Sequence, residues 1–256
     1  MINKRDNCII LLIEAPDPEN ISPELVAAFG AERAAHINLS LLQTSYKLAK
    51  SFAGATLFLS FSKSPRHQNL TWLDGDDPGF LEAKSKDLGS RLTEAFRLAF
   101  YTGAKKVLLI NHLSPGVKAE YLSQTFDSVT EKTVALGMNQ DGSIYILGLT
   151  QNNLRLLEGL TVSSPKAAEE MSIKAKKSSL SVFSLPEAVA VKSEEFLRKW
   201  VDAGDSSPSF LLKAPAAPVD SPAPPASPRQ GEKKHRRGHK NSLPPPLLPD
   251  TEQKPL

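Results

Sequence analysis

The stretch EAPDPENISPEL, residues 14–25, has the composition of a loop that joins a first strand to a helix. In α/β proteins such a loop commonly holds phosphate through backbone N–H groups, lysine and arginine. Here it contains Glu14, Asp17, Glu19 and Glu24 and no basic residue. Its charge is therefore opposite to the charge that a bound diphosphate requires.

A second charged segment lies near the end of the chain. RQGEKKHRRGHK, residues 229–240, contains six Lys/Arg, two His and one Glu, between the polyproline-prone stretches SPAPPASP and LPPPLLP. Such a basic island attracts nucleic acid, an anionic lipid surface or an acidic protein through salt-dependent contacts. It has no interleaved aromatic residues for base stacking, and a solvated extension without function is the alternative.

The elements that must position these residues alternate between strand and helix patterns, which predicts βαβ units and a largely parallel sheet. Short apolar runs predict strands at 8–13, 55–61, 106–110, 133–137, 143–149 and within SVFSL, with an irregular section at 62–80. Amphipathic patterns predict helices from Ser22-Pro23 to Phe29 and over 31–51, 87–102, 114–127, 151–157, 165–178 and 192–202. The tight turn at 140–142 makes one strand pair antiparallel, so the predicted sheet is mixed.

Proline and charge divide the chain into two parts. Twelve of the twenty prolines lie after residue 204, in a segment without apolar periodicity. The sequence therefore predicts a folded domain at 1–204 and a disordered, proline-rich tail at 205–256. The tail carries the whole net charge of +3, because the first 204 residues contain 23 basic and 23 acidic side chains. The predicted domain thus has no electrostatic support for nucleic-acid binding.

The single cysteine, Cys8, excludes an internal disulfide framework and suits a reducing compartment. Only about six apolar residues follow Lys4 and Arg5, fewer than a signal peptide needs. No apolar run approaches the length of a transmembrane helix. We therefore expect a cytoplasmic protein without a transmembrane segment.

Several short motifs follow one another along the chain, and their order and spacing are informative. They are Ala15-Pro16-x-Pro18, Leu25…Gly30, Asp87-Leu88-Gly89-x-Arg91 with Phe96, Gly103-Ala104 before VLLI, Pro115, Leu136-Gly137, Asp141-Gly142, Tyr145 and Leu147-Gly148-Leu149. In this order they resemble a bacterial family of GT-A-like proteins of uncharacterised function, over roughly residues 8–200. The resemblance implies a nucleotide-diphospho-sugar transferase fold: a GT-A or Rossmann-like three-layer αβα sandwich with a mixed, mostly parallel sheet.

The first loop departs from the pattern of that family, which is similar to Lys-Ala-Pro-x-Pro-Gly-x-Val-Lys-Thr-Arg-Leu. An ungapped match places Glu14 on the first lysine and Ser22-Pro23-Glu24 on Lys-Thr-Arg. A unit charge 4 Å away contributes about 4 kcal/mol at an effective dielectric near 20, so such reversals disfavour a diphosphate. An exposed loop with solvated charges is the alternative, and neither interpretation retains a phosphate cradle.

The metal-binding positions depart as well. The resemblance implies a carboxylate at the end of the central strand, because GT-A enzymes generally hold a divalent cation there. In this chain the stretch is Asn111-His112-Leu113-Ser114-Pro115, with Leu113 at that position and His112 a poor ligand for a hard cation. A late Asp-Val-Asp pattern falls near residues 190–192, again without a carboxylate.

The candidate ligand-binding residues are Asp87, Gly89, Arg91, Asp141, Gly142 and Tyr145, which keep the family pattern, together with His112, which lies in the stretch that departs from it. Asp87 and Arg91 are spaced i,i+4, which stabilises a helix by itself, and a retained ligand contact is the alternative. Asp141 and Gly142 suit a hairpin turn, and a remnant of a sugar or acceptor site is the alternative. Tyr145 is equally compatible with core and pocket. Catalytic residues are not identified.

These observations favour a GT-A-like protein that has lost metal-dependent nucleotide-sugar transfer and that binds or scaffolds a partner protein. No cofactor is then expected. One alternative is an active, divergent glycosyltransferase or nucleotidyltransferase with a nucleotide-activated donor, which would need Mg²⁺ or Mn²⁺. Another is a protein that associates with nucleic acid or membrane through residues 229–240.

Overall fold

The computed structural model describes residues 4–13, 20–62, 80–83 and 88–202. Within these residues the strands are β1 (Asn7–Ile13), β2 (Thr56–Ser62), β3 (Phe80–Ala83), β4 (Lys106–Ile110), β5 (Thr133–Met138), β6 (Ile144–Thr150) and β7 (Ser181–Ser184). The α-helices are α1 (Pro23–Phe29), α2 (Ala31–Ser51), α3 (Leu88–Tyr101), α4 (Ala119–Ser128), α5 (Ala167–Lys177) and α6 (Glu194–Asp202). Two 3-10 helices cover Lys4–Asp6 and Gln151–Leu157.

The described strands form one sheet in the order β3-β2-β1-β4-β6-β5-β7. Strand β6 is antiparallel to β4 and β5, and the other pairs are parallel. The antiparallel pair arises because β5 returns directly into β6 through a tight turn, whereas the parallel strands β1 and β2 are joined through the helices α1 and α2. The predicted mixed, mostly parallel sheet is confirmed.

Residues of the central strand β1 alternate between two apolar layers. Ile10 and Leu12 pack in the cluster that contains residues of α3, the second 3-10 helix and α5. Ile9 and Leu11 pack in the cluster on the other face, with residues of α2 and α4. Because a strand covered on both faces has no polar side, all seven residues of β1 are buried. Helices therefore cover both faces of the sheet, and the three-layer α/β fold is confirmed.

A third apolar cluster joins α1, the first half of α2 and α6. Leu25, Ile37 and Leu197 are almost fully buried there, and Val191 belongs to the same cluster. The partly buried Leu113, from the loop after β4, packs against it. Leu197 of α6 belongs to this cluster and Trp200 packs against it, so these two residues attach α6 to α1 and α2.

Three local predictions differ from the structure. The helix predicted from Ser114-Pro115 begins only at Ala119, because Ser114 bonds to Asn139 and an extended Lys118 precedes the helix. Strand β3 begins at the end of the section predicted as irregular, and its four residues are too few to show an alternating pattern. Ser22 precedes α1 as predicted but makes no side-chain capping bond; its Oγ donates to the carbonyl oxygen of Lys192 at 2.6 Å.

Among the described residues, none of the helices is both long and apolar enough to span a membrane. The predicted disordered tail, 205–256, lies outside the described residues, as do Glu14, Asp17, Glu19 and Asp87. The division into a domain at 1–204 and a tail therefore stays a prediction.

Candidate functional site

A cavity of about 330 Å³ lies where the adjacent parallel strands β1 and β4 end. The strand order reverses between β1 and β4, and in open α/β sheets the cavity at such a switch point binds ligands. Its described lining is apolar at Leu12, Leu88, Leu109, Leu113 and Val162, and polar at Asn20, Arg91, Asn111, His112 and Ser163. Of the candidate residues that the sequence predicts, the fold brings Arg91 and His112 together here.

Arg91 supplies a positive charge to the cavity wall. It lies in the first turns of α3, and its side chain is only 1% exposed. Leu88, the first residue of the same helix, also lines the cavity. Gly89 instead lines an open groove between α3 and residues 158–161. Asp87 lies outside the described residues, so the predicted pair of Asp87 with Arg91 stays a prediction.

His112 is held as a neutral imidazole beside the cavity. Its Nε2 lies 3.0 Å from Oδ1 of Asn38 in α2, an acceptor, so Nε2 carries the proton and donates it. The Oγ of Ser45 donates to the main-chain oxygen of His112 at 3.5 Å. Burial lowers the pKa of His112 to about 4, because a charged ring has no water around it. His112 therefore adds hydrogen-bonding capacity but no charge at neutral pH.

Asn111 shapes the loop that follows β4. Its Oδ1 accepts a hydrogen bond from the main-chain N–H of Leu113 at 3.1 Å, and its Nδ2 donates to the carbonyl oxygen of Ile144 at 3.3 Å. These two bonds fix the turn between His112 and Leu113. They direct Leu113 to the cavity wall and to the third apolar cluster.

The two segments that the sequence aligned with metal-binding carboxylates lie side by side. The main-chain N–H of Val191 donates to the carbonyl oxygen of Leu113 at 2.7 Å. Ala190 and Val191 are 5% and 1% exposed, and Leu113 packs in the same cluster as Val191. Among the described residues, no group of three His, Cys, Asp or Glu side chains is placed to hold a metal ion. Among the described residues, Leu113 and Val191 therefore form an apolar contact at this position.

Asp141 is committed to an ion pair. Its Oδ2 lies 2.5 Å from Nζ of Lys192, and its Oδ1 accepts bonds from the N–H and the Oγ of Ser143 at 2.9 and 2.5 Å. Burial raises the pKa of Asp141, but the hydrogen bonds from Lys192 and Ser143 outweigh it and hold the pKa below its ordinary value. Lys192 also donates to the carbonyl oxygen of Ser163, a cavity residue, at 3.2 Å.

A buried chain of polar side chains connects this ion pair to the loop after β4. Ser114 Oγ donates to Oδ1 of Asn139 at 2.8 Å, and Asn139 Nδ2 donates to Oγ of Ser143 at 3.0 Å. All three residues are at most 1% exposed. These hydrogen bonds connect the hairpin turn to the loop after β4, so the two segments are held together.

Gly142 is required in this hairpin turn for two reasons. Its φ of 82° is one that residues with a side chain rarely adopt. A Cβ built there would lie 2.0 Å from the carbonyl oxygen of Pro165. These contacts support the turn interpretation of Asp141-Gly142, and the alternative of a sugar or acceptor contact stays untested.

Tyr145 packs on the opposite face of the sheet from Arg91. It is fully buried in the cluster with Ile9 and Leu11, and its hydroxyl donates to the carbonyl oxygen of Pro186 at 2.7 Å. Burial raises the pKa of the Tyr145 hydroxyl, with a smaller contribution from Tyr121. A Cβ at Gly137 would lie 2.5 Å from this ring. These contacts are those of a core residue.

Four residues of the site environment were not identified from the sequence as candidates: Asn20, Asn38, Ser163 and Lys192. Asn38 lies within a regular helix and Ser163 in a loop, so no local spacing marks either one. Lys192 was considered only as a residue that replaces a carboxylate. Its pairing with Asp141 joins positions 51 residues apart and has no local sequence signal.

Residues 46–164, just under half of the chain, match a family model described as "Uncharacterized protein conserved in bacteria (DUF2064)". The "putative nucleotide-diphospho-sugar transferase" from Desulfovibrio desulfuricans G20 superposes with a TM-score of 0.70 at 19% identity, over 79% of this chain and 89% of that one. The chain has the nucleotide-diphospho-sugar transferase fold. The GT-A-like resemblance expected from the sequence is confirmed.

More distant nucleotidyltransferase structures share this fold. A nucleotidyl transferase from a Methanothermobacter species has a TM-score of 0.50 at 12% identity, over 77% of this chain and 96% of that one. A 4-diphosphocytidyl-2C-methyl-D-erythritol synthase has a TM-score of 0.50 at 10% identity, over 79% of this chain and all of that one. No sequence among the curated proteins matches this chain. At these identities the structural matches establish the fold.

Proposed function

We propose that this protein keeps the nucleotide-diphospho-sugar transferase fold without metal-dependent transfer and acts as a binding protein. The observation that carries the proposal is the environment of Leu113. It lines the cavity at the switch point, packs in an apolar cluster, and its main chain bonds to Val191. Both segments at which the resemblance predicts carboxylates therefore contribute apolar side chains to one contact.

The chemistry of this contact opposes a divalent cation. Mg²⁺ and Mn²⁺ need oxygen ligands, and leucine, valine and alanine side chains have no lone pairs. Lys192, at the end of the second segment, is paired with Asp141, so that carboxylate is already occupied by a cation of the protein. No cofactor is expected for this function.

A rebuilt, active transferase is the second candidate. The cavity with Arg91 and His112 at the strand ends favours it, because this is where the fold binds ligands. Such an enzyme would use a nucleotide-activated donor and would need Mg²⁺ or Mn²⁺ to offset the charge of the leaving diphosphate. Binding and transfer thus differ in their metal requirement.

A thermal-unfolding screen separates the two candidates. UDP-, GDP- and CDP-sugars are added with Mn²⁺, with Mg²⁺ or with EDTA, and each metal is also tested alone. A ligand present at 100 times its Kd stabilises the folded state by about 2.7 kcal/mol, which raises the melting temperature measurably. We expect no increase that requires both metal and nucleotide-sugar. An increase that EDTA abolishes would overturn the proposal in favour of the transferase.

The partner of the binding function is proposed from sequence alone. A protein partner is our first proposal, and a weak anionic partner for residues 229–240 is the alternative. Retention on RNA or on anionic liposomes is compared at low salt for the full chain and for a chain ending at residue 204. Equal retention would refute a role for the basic segment. A cytoplasmic location likewise stays a proposal, from the single cysteine.

A further inference from the structure

We propose that the outer edge of β7 and the adjacent flank of α5 form an interface with a second copy of this chain, related to the first by a two-fold axis. This surface lies at the end of the described sheet opposite to β3 and includes none of the described cavity residues. The inference therefore goes beyond the proposed binding function. Two observations carry it: the main-chain hydrogen-bonding groups of β7 and the charge pattern of α5.

β7 presents main-chain hydrogen-bonding groups along its outer side. Among the described strands it pairs only with β5, in parallel register. The N–H groups of Ser181 and Leu185 donate to main-chain oxygens in and next to β5. Because consecutive residues of a strand alternate in the direction of their N–H and C=O groups, those of Val182 and Ser184 point away from β5. The strand contains no charged residue and no proline, which commonly protect an edge from pairing.

A second β7 completes these hydrogen bonds under a two-fold axis that is perpendicular to the sheet. With the two strands antiparallel and Phe183 on the axis, Val182 of each copy lies opposite Ser184 of the other. Residues opposed in this way exchange both of their N–H···O bonds. The two copies then share one continuous sheet.

The position of α5 is compatible with such a sheet. The helix contacts both β5 and β7, so its axis lies over these two strands. Neighbouring strands are about 4.8 Å apart, which places the α5 helices of the two copies about two strand spacings, or ~10 Å, from each other on the same face. Helices pack side by side at about 8–10 Å. The two helices therefore meet directly when the β7 edges pair.

The flank of α5 that faces the second copy carries one charge of each sign. On the inner flank, Lys174 donates to main-chain oxygens in and just after the second 3-10 helix. With about 3.6 residues per turn, Glu169, Ser172 and Lys176 lie on the opposite flank, and all three are exposed. Among the described residues, neither Glu169 nor Lys176 has an ion-pair partner.

Two-fold symmetry pairs these charges with each other. In antiparallel helices related by an axis between Ser172 and Ile173, Glu169 of each copy faces Lys176 of the other, because the two residues are equally far from that point. The small Ser172 permits close approach at the axis. Ile173, which is 45% exposed, lies beside it and loses part of that exposure. A second copy thus supplies the complementary charges by symmetry alone.

One axis serves both elements. Strand β7 runs back along α5 after the turn that follows the helix. From Lys177 back to the point between Ser172 and Ile173 is about 7 Å along the helix. From Ser181 to Phe183 is about 7 Å along the strand. The centre of the strand pair and the centre of the helix pair are therefore level.

Sedimentation velocity of the full chain, between about 5 and about 500 μM, tests the interface. Both elements are short, so we expect a micromolar dissociation constant and a rise from monomer to dimer over this range. Glu169→Lys and Lys176→Glu each place like charges opposite one another across the axis and should weaken the dimer at least about tenfold. An equimolar mixture of the two variants should dimerise as the wild type does, because a basic flank then meets an acidic one.

A matched pair of variants tests the strand edge. Ser184→Pro removes an N–H group that points away from β5 and should weaken the dimer at least about tenfold, whereas Ser184→Ala keeps that group and should behave as the wild type. Glu120→Lys, at an exposed position of α4 on the opposite face of the sheet, controls for the change in net charge and should also behave as the wild type. If Ser184→Pro does not fold, the two charge reversals and their mixture still decide the question.

Three results would overturn the inference. The full chain remains a monomer up to about 500 μM, a concentration far above that expected for this interface. A dimer forms that neither the charge reversals nor Ser184→Pro weaken, which would place the contact elsewhere. The mixture of the two charge-reversed chains dimerises as weakly as each variant alone. None of these results bears on the proposed loss of transfer, which the metal and nucleotide-sugar screen tests separately.

Discussion

The neutral state of His112 predicts a specific dependence of stability on pH. The structure gives this residue a pKa of about 4, against an ordinary value of 6.5, because the ring is buried beside the cavity. The unfolded chain therefore takes up the proton at a higher pH than the folded chain. The stabilisation from neutral His112 is complete above pH 6.5 and is lost as the pH falls towards 4.

The magnitude follows from the size of this shift. Each unit of difference in pKa between the folded and unfolded states changes the free energy of unfolding by about 1.4 kcal/mol. The full loss is thus about 3 kcal/mol, spread over the interval from pH 6.5 to pH 4. His112 is 7% exposed, so solvent reduces this value little. Part of the loss is already measurable at pH 5.

The assay is urea unfolding of the wild type and of His112→Gln between pH 7.5 and pH 4.5. Glutamine can still donate to Asn38 but does not titrate, so the variant should lose less stability over this range. The difference in slope between the two proteins isolates His112 from carboxylates that titrate in both. His36→Gln, at an exposed position of the same helix that carries Asn38, is the control and should follow the wild type. Parallel curves for wild type and His112→Gln would refute the assignment of a buried, neutral imidazole.

Three further substitutions test the surroundings of the cavity. Asp141→Asn should lower the free energy of unfolding by about 1 kcal/mol at pH 7, because an ion pair that solvent partly screens is lost. This cost should vanish as the pH falls below 3.8, since the folded pKa lies below that value. Gly142→Ala should cost at least about 2 kcal/mol more than Gly30→Ala. Both glycines have a positive φ, but only at Gly142 would the added Cβ lie 2.0 Å from a carbonyl oxygen, that of Pro165. Tyr145→Phe should cost about 1 kcal/mol, because the carbonyl oxygen of Pro186 loses its donor. Each value is measured by urea unfolding.

The contradicting outcomes differ among these variants. Equal stability of Asp141→Asn and wild type at pH 7 would mean that the ion pair contributes nothing. Equal costs at Gly142 and Gly30 would mean that the turn moves away from its neighbour without penalty. A Tyr145→Phe protein as stable as the wild type would show that the hydroxyl is not needed in the core.

Local patterns predicted most of the fold. Helix α2 was predicted with its observed bounds, because its apolar residues keep a helical period between Gly30 and Phe52. The β5–β6 pair was predicted because Asp141-Gly142 permits only a tight return. The helix after β4 was misplaced because Ser114-Pro115 resembles a helix start, whereas Ser114 bonds to Asn139 in another element. That bond depends on tertiary packing and has no local signature.

The candidate site was predicted less completely for the same reason. Arg91 was identified from the resemblance and His112 from the stretch that departs from it, and the fold brings them to one cavity although they are 21 positions apart in sequence. The roles of Asn38 and Lys192 depend on contacts with His112 and Asp141, over separations of 74 and 51 residues. Such pairs form only in the folded sheet, so composition and hydrophobic periodicity do not predict them.

The central claim, that no divalent cation is held at Leu113 and Val191, is tested most directly by electron paramagnetic resonance of Mn²⁺. The amplitude of the free Mn²⁺ signal is measured with a UDP-sugar, with and without the full chain in excess over the metal. We expect the same amplitude in both samples. A smaller free Mn²⁺ signal in the sample that contains both the protein and the UDP-sugar would contradict the claim, if neither one alone causes that decrease.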